Sequence, residues 1–195
     1  MKPLPYTWPY ALIFWAVFVW AFWPEVGIIN RARRDVDSAA DGGSLRVILL
    51  GMWVAFLAAF PLASVPAAQL PTGYRMLAFA VGVAVLVAGS LLRRHCWRVL
   101  GESFTGNVQA RPDQPIMQSG AYALVRHPSY TGGILMNTGI GLALGSWASA
   151  GLLAIVSVAV YRYRMQVEER TLLATIGEPY RRFLQGRKRL IPFVY

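Results

Sequence analysis

A chain of 195 residues that is 56% hydrophobic and 14% charged, with a mean hydropathy of +0.44, is too apolar for a water-soluble domain and reads as an integral membrane protein. Its formal charge of +10 is explained by membrane topology and attraction to anionic headgroups, worth about 1 kcal/mol per surface-adjacent Lys or Arg, so nucleic acid is not expected as a partner. One cysteine, Cys96, excludes an intramolecular disulfide and a cysteine zinc site.

Four stretches approach the roughly 20 apolar residues that a bilayer core demands: Trp8 to Ile29, Leu45 to Val65, Met76 to Leu92 and Ile134 to Tyr161. The first is long, lacks a small-residue cleavage site and ends in Trp23-Pro24-Glu25, so it is expected to remain as a span rather than leave as a signal peptide. The fourth is too long for one crossing. Gly141-Leu-Ala-Leu-Gly145-Ser-Trp147-Ala-Ser149 interrupts it with small and polar residues, which predicts a hairpin and five helices in all. The fifth is expected from about Ala148 to Tyr163, leading directly into a juxtamembrane helix; one tilted helix is the alternative.

Basic residues set the orientation. Arg31, Arg33, Arg34 and Arg46 lie between the first two spans, Arg93, Arg94, Arg98, Arg111 and Arg126 between the third and fourth, and eight more from Arg162 to Arg189. The positive-inside rule therefore puts the N-terminus outside and the C-terminus in the cytoplasm, which requires an odd number of spans. The Ala-, Arg- and Val-rich composition is that of a GC-rich bacterial genome, and a bacterial inner membrane is the expected location. Tryptophans 8, 15, 20, 23, 53, 97 and 147 mostly flank spans, as an interfacial belt does. Gly139-Ile-Gly141 lies inside a span, where close helix packing is the natural use of glycine. His95 stands beside Cys96 but in a basic helix end, a poor metal site, and no metal is expected.

The densest chemistry is Gly120-Ala-Tyr122-Ala-Leu-Val-Arg126-His127-Pro128-Ser129-Tyr130, after the long loop from Gly101 to Val125. Pro128 suits the first turn of a helix, which puts His127 at its cap. Unpaired N–H groups there, with Arg126, can receive a carboxylate or phosphate. At the far end of the fifth span, three- and four-residue steps place Tyr161, Arg164, Met165, Glu168 and Leu172 on one face. Antiparallel neighbours bring these two polar ends together. Ionisable groups at a membrane boundary need partners and mark a site by default; carboxylates for an ammonium beside a receptor for a carboxylate describe an amino-acid-like ligand.

The pattern Gly120-x-Tyr122-x-x-x-Arg126-His127-Pro128-Ser129-Tyr130-x-Gly132, followed by Arg164-x-x-x-Glu168-Glu169-x-x-Leu172 and Gly177-x-x-Tyr180, resembles the isoprenylcysteine carboxyl methyltransferase family and its phospholipid-methyltransferase relatives, over roughly Phe104 to Tyr180. The expected fold is an all-α polytopic bundle of about five transmembrane helices, counted from the hydropathy. The resemblance implies a cytoplasmic S-adenosylmethionine pocket formed by the last two helices, the preceding loop and the C-terminal segment. Residues 1–100 would then form the first three spans and residues 101–195 the catalytic region. Carried over position by position, the resemblance makes Tyr122, His127, Pro128, Ser129, Tyr130 and Glu168 cofactor contacts, along with Gln109 and Gln114, Pro115, Ile116 and Met117 in the loop, and it turns Arg164 toward the acceptor. Where the family commonly has histidine and leucine-valine before Gly-x-Tyr, this chain has Gln114 to Met117.

The implied reaction is displacement at a sulfonium methyl, in which a site contributes alignment and exclusion of water. A carboxylate acceptor on a lipophilic, isoprenylcysteine-like molecule is already ionised and needs only Arg164 to position it. A phospholipid amine or a small thiol needs a base, for which His127 and Glu169 are the candidates. A transporter or a catalytically silent scaffold are the competing classes, the first disfavoured because the ionisable residues gather at one interface rather than at the midplane. The partners expected are the lipophilic acceptor and membrane lipids, with no obligate protein partner.

Overall fold

The computed structural model describes residues 2–34, 41–101, 108, 110 and 112–192. It contains α1 (Tyr10–Arg34), α2 (Ser44–Leu62), α3 (Arg75–Leu100), α4 (Pro128–Ala143), α5 (Trp147–Ile176) and α6 (Glu178–Gly186), with short 3-10 turns between several of them and no strand among the described residues. By length and composition α1, α2 and α3 suffice to cross a membrane, and few of their residues are buried within the protein. Leu50, Trp53, Val54 and Leu57 of α2 point outward, as a helix does whose solvent on one side is lipid.

The long apolar stretch at 134–161 is two helices, not one tilted rod. α4 stops at Ala143, Gly145 takes a φ of +70°, and Ser146 caps α5 by accepting the Ser149 N–H at 3.1 Å. Ser146 also donates to the Ala68 carbonyl at 2.8 Å, tying the hairpin to the turn that follows α2. α5 then runs unbroken for 30 residues, past the end of any span, until Gly177 (φ +75°) turns the chain into α6.

α3 packs on α4, α4 on α5, α5 on α2 and α1 on α3. Aromatic rings close the circuit between α1 and α2: Trp15 stacks on Phe60 at 5.8 Å, and Phe18 and Phe22 meet Phe56 edge-on. Glycine makes the α3–α4 contact close. A Cβ on Gly139 would lie 2.6 Å from the Leu86 nitrogen, and one on Gly89 would lie 2.6 Å from the Gly132 carbonyl oxygen, so these helices touch backbone to backbone, as small residues allow in membranes.

Antiparallel order gathers the C-terminal ends of α1, α3 and α5 with the N-terminal ends of α2 and α4. Buried ion pairs hold that end. Arg93 of α3 pairs with Glu25 of α1, its Nη2 reaching Glu25 Oε2 at 2.7 Å, and its Nη1 donates to the Ser129 carbonyl of α4 at 3.0 Å. Arg164 of α5 pairs with Asp41, in the turn before α2. The opposite end is held by neutral bonds and by Arg75 donating to the Lys2 carbonyl.

Candidate active site

Gly120 begins the site because no other residue fits. Its φ is +58°, and a Cβ there would stand 2.7 Å from His95 Nε2 on α3. The 3-10 turn Gly120–Ala123 that follows buries Tyr122. The chain then passes Val125 and Arg126 and enters α4 at Pro128 with His127 as its N-cap, as the proline predicts. Here the C-terminal segment pairs with it: Arg126 N–H donates to Lys188 O at 2.8 Å, His127 N–H to Arg189 O at 2.9 Å, and the Thr131 hydroxyl to Leu190 O at 2.9 Å. Gly132, one turn into α4, leaves room for the Arg93 side chain, whose Cγ would lie 2.7 Å from a Cβ.

A cleft opens between this segment, α5 and α6, enclosing about 910 Å³ with its open mouth included. Its walls include Gln114, Pro115, Ile116, Met117, Tyr122, Arg126, His127, Ser129, Tyr130, Arg164 and Glu168, with Leu172, Ile176, Tyr180 and Phe183 as an apolar side. The two half-sites expected to meet do meet. Pro128 is buried at the helix start instead of lining the cleft, and Gln109 lies outside the described residues.

Tyr130 is the hinge of the polar wall. Its hydroxyl donates to Glu168 Oε2 at 2.6 Å, and its ring lies between His127 (5.5 Å) and Tyr161 (5.0 Å), nearly parallel to both. His127 Nε2 lies 3.0 Å from Glu169 Oε1 while Nδ1 is 3.8 Å from Glu168 Oε2. An ionised Glu169 can only accept, so Nε2 carries the proton of that bond.

Glu168 and Glu169, adjacent in sequence, face different company. Glu168 looks into the cleft and is partly exposed. Glu169 is buried against two guanidinium groups and an imidazole, with Arg126 Nη1 at 2.9 Å, Arg189 Nη2 at 2.7 Å and His127 Nε2 at 3.0 Å. Burial alone would push its carboxyl up; the hydrogen bonds from His127 and Arg189 and the charges of His127 and Arg126 prevail and hold it at about 2. Burial pushes the Tyr122 and Tyr180 hydroxyls well above the phenolic range, so both stay protonated donors.

Arg164 reaches the cleft from α5, buried, with its Nη1 2.6 Å from Ser44 Oγ and in an ion pair with Asp41. Asp41 also accepts the Leu45 N–H at 3.0 Å and the Val108 N–H at 3.1 Å. Burial works against its charge, but these N–H groups and the Arg164 guanidinium keep the carboxyl below its ordinary value. Asp41 and Arg189 are the site-building residues that periodicity did not reveal. The turn signature Asp41-Gly42-Gly43-Ser44 ahead of an apolar run is a helix-start signal, and it was the available cue for the first.

Residues 81–174 match the model of the isoprenylcysteine carboxyl methyltransferase family. Over 115 residues the chain is 29% identical to protein-S-isoprenylcysteine O-methyltransferase B of Arabidopsis thaliana, covering 58% of each chain. It is 30% identical over 120 residues to the mouse (Mus musculus) protein-S-isoprenylcysteine O-methyltransferase, covering 59% of this chain and 41% of that one. The solved structure of the eukaryotic intramembrane Ras methyltransferase, an isoprenylcysteine carboxyl methyltransferase, superposes with a TM-score of 0.62 at 24% identity, over 75% of this chain and 52% of the other. The fold is therefore that of a multi-pass membrane protein of this kind. The chain spans 58% of the length of the Arabidopsis relative, and the family match over residues 81–174 takes in Tyr122, His127, Tyr130, Arg164, Glu168 and Glu169 while leaving out Asp41 and Arg189.

Proposed function

We propose, from the isoprenylcysteine carboxyl methyltransferase pattern that residues 81–174 match, that this chain is a membrane methyltransferase that uses S-adenosylmethionine to esterify the carboxylate of a lipophilic, isoprenylcysteine-like acceptor. The observation that carries the proposal is the convergence of Tyr122, His127, Tyr130, Arg164 and Glu168 on one cleft inside the matched region. In this reading the five long helices all cross the bilayer, α4 and α5 as a hairpin, with the cleft at the cytoplasmic face.

The residues present fit the cofactor. Arg126 lines the cleft, and its buried Nε has no acceptor among the described residues; its guanidinium charge suits a ligand carboxylate. Glu168 offers a counter-charge for an ammonium, and Leu172, Ile176 and Phe183 an apolar bed for an adenine ring. When bound, S-adenosylmethionine supplies the electrophilic methyl group. Tyr122 would offer a ring face to its positive sulfur, an attraction worth about 0.5–2 kcal/mol, while Tyr130, its ring covered by His127 and Tyr161, holds Glu168 through its hydroxyl.

What the chain does beyond binding is align and exclude water. Arg164 positions the acceptor carboxylate at the inner end of the cleft. A carboxylate held at about 2 by hydrogen bonds from His127 and Arg189 and the charge of Arg126 is a poor proton acceptor near neutrality, so Glu169 serves as the brace that fixes Arg126, His127 and Arg189 rather than as a base. That favours an acceptor that arrives ionised over an amine or thiol that must first shed a proton.

Incubating the purified protein with methyl-labelled S-adenosylmethionine and a farnesylated cysteine bearing a free carboxylate tests this. Base-labile label in the farnesylated product is the expected result. Label appearing only in phospholipid amines or small thiols, or nowhere, overturns it.

A further inference from the structure

Arg164 carries its own carboxylate. Two glycines with positive φ, Gly42 (+53°) and Gly43 (+74°), fold Asp41 back over the first turn of α2, where it meets a guanidinium 123 residues further along the chain. Few arrangements could hold this carboxylate more firmly. It receives the Leu45 and Val108 N–H groups, the Ser44 hydroxyl at 3.1 Å and Arg164 Nη1, and only 6% of the residue is exposed. Tyr163, one residue before Arg164, donates to Gly42 O at 3.4 Å and ties the same turn to α5 a second time.

Arg164 is thus shared between two surroundings. One is the Asp41–Ser44 turn; the other is the cleft, which it lines beside Tyr130 and Glu168. A guanidinium has five N–H donors in a rigid fork, so the Asp41–Ser44 turn, by taking Nη1, fixes how the rest of the fork faces Tyr130, Glu168 and a ligand in the cleft. Its charge toward that ligand is offset by the carboxylate behind it, because nearby opposite charges in a site of low polarity largely cancel at a distance.

We infer that Asp41 is a positioning residue that orients Arg164 and partly neutralises it, so that the cleft holds a ligand carboxylate loosely enough to remain a nucleophile. The inference rests on the proposed carboxylate acceptor and deepens it. An arginine bound to nothing else would grip the acceptor's oxygens and withdraw the electron density that must attack the methyl group. One already paired with Asp41 aligns them while withdrawing less. The residue also links α2 and the segment at Val108 to the chemistry, although neither Asp41 nor α2 lies in the stretch matched to the family.

Two substitutions push the charge in opposite directions. Asp41→Asn removes the offset, and Ser44→Asp adds a second carboxylate beside Arg164 at the start of α2, where a negative charge suits the helix end. Farnesylthioacetic acid and its methyl ester provide a charged and a neutral ligand of the same shape, whose direct binding to nanodisc-embedded protein is measured by calorimetry. The ratio of acid to ester affinity should rise about tenfold in Asp41→Asn and fall about tenfold in Ser44→Asp, with S-adenosylmethionine affinity kept in both. With a farnesylated cysteine acceptor, Asp41→Asn should lower KM and kcat together, whereas simple loss of a structural cap would lower the active fraction and leave KM alone. A ratio that does not move in either variant overturns the role of Asp41, even if the wild type methylates the acceptor. A ratio that moves as stated in a wild type that transfers no methyl group retains Asp41 as the charge-setting partner of Arg164 and overturns the acceptor assignment instead. Binding of neither ligand to any of the three proteins overturns both.

Discussion

Replacing Glu169 by Gln should release the C-terminal segment from the cleft wall. The carboxylate is the common acceptor for Arg126, His127 and Arg189, and lowering a carboxyl from its ordinary 4.5 to about 2 corresponds to about 3 kcal/mol of preference for the ionised form in the folded protein. That agrees in size with the roughly 3–5 kcal/mol lost when one member of a buried ion cluster is removed. Because the folded value lies below the unfolded one, this stabilisation is complete above the unfolded value and is lost as pH falls through the folded one. The gap between wild type and variant should therefore be about 3 kcal/mol at pH 7 and roughly 1 kcal/mol at pH 3. Amide hydrogen exchange reads it locally, since the Arg126 and His127 N–H groups bond to Lys188 O and Arg189 O. At pH 7 these two amides should exchange about 100-fold faster in the variant when opening is rapid, a tenfold change being about 1.4 kcal/mol. Comparing the two proteins at each pH removes the intrinsic pH dependence of exchange. A ratio near one at pH 7, or one that does not shrink in acid, would refute the account of Glu169 as a brace held ionised by its three partners.

Glu168→Ala should weaken S-adenosylmethionine binding by about tenfold or more, through loss of a charge-assisted bond worth roughly 1.5–3 kcal/mol; unchanged affinity in calorimetry counts against its pairing with the ligand ammonium. Arg164→Ala should reduce kcat with a carboxylate acceptor by at least about 100-fold while cofactor affinity stays within a few fold, because the positioning it supplies is on the order of 3 kcal/mol; the opposite split would mean that the arginine serves the cofactor. Gly139→Val should prevent α3 and α4 from closing, since even a Cβ lies 2.6 Å from the Leu86 nitrogen, and the variant should lose its monodisperse gel-filtration peak or unfold at markedly lower temperature in detergent. Gly151→Ala, where a Cβ meets nothing within 4 Å, is the matched control and should behave as wild type.

Helix positions were legible because hydropathy and punctuation act locally. Gly145 and Ser146 broke the fourth stretch where the structure breaks it, the first by taking a positive φ and the second by capping α5. The cleft was legible for a different reason: Tyr122, His127, Tyr130, Arg164 and Glu168 sit on consecutive elements joined by a tight hairpin, so antiparallel packing alone brings them together. The partners at longer range were not. Nothing periodic connects Arg164 with Asp41 or Arg93 with Glu25; those pairs follow from the circuit in which α5 packs on α2 and α1 on α3, an order that hydropathy does not encode. Arg189 reads in sequence as one more basic residue of a cytoplasmic tail, and only the pairing of 188–190 with 125–131 turns it inward.

On the proposed reading, in which α4 crosses the bilayer and the chain esterifies a lipophilic carboxylate, the brevity of α4 carries a physical consequence for turnover. Its 16 residues reach about 24 Å, against a hydrocarbon layer of about 30 Å, so when its hairpin tip lies at the far surface, Pro128 and the mouth beside it sit a few ångströms beneath the near one. An amphiphile can present its head at that depth without leaving its leaflet. Esterification would erase the head's charge, and the more oil-soluble product would drift toward the middle of the bilayer, vacating the mouth by partition and with no moving gate.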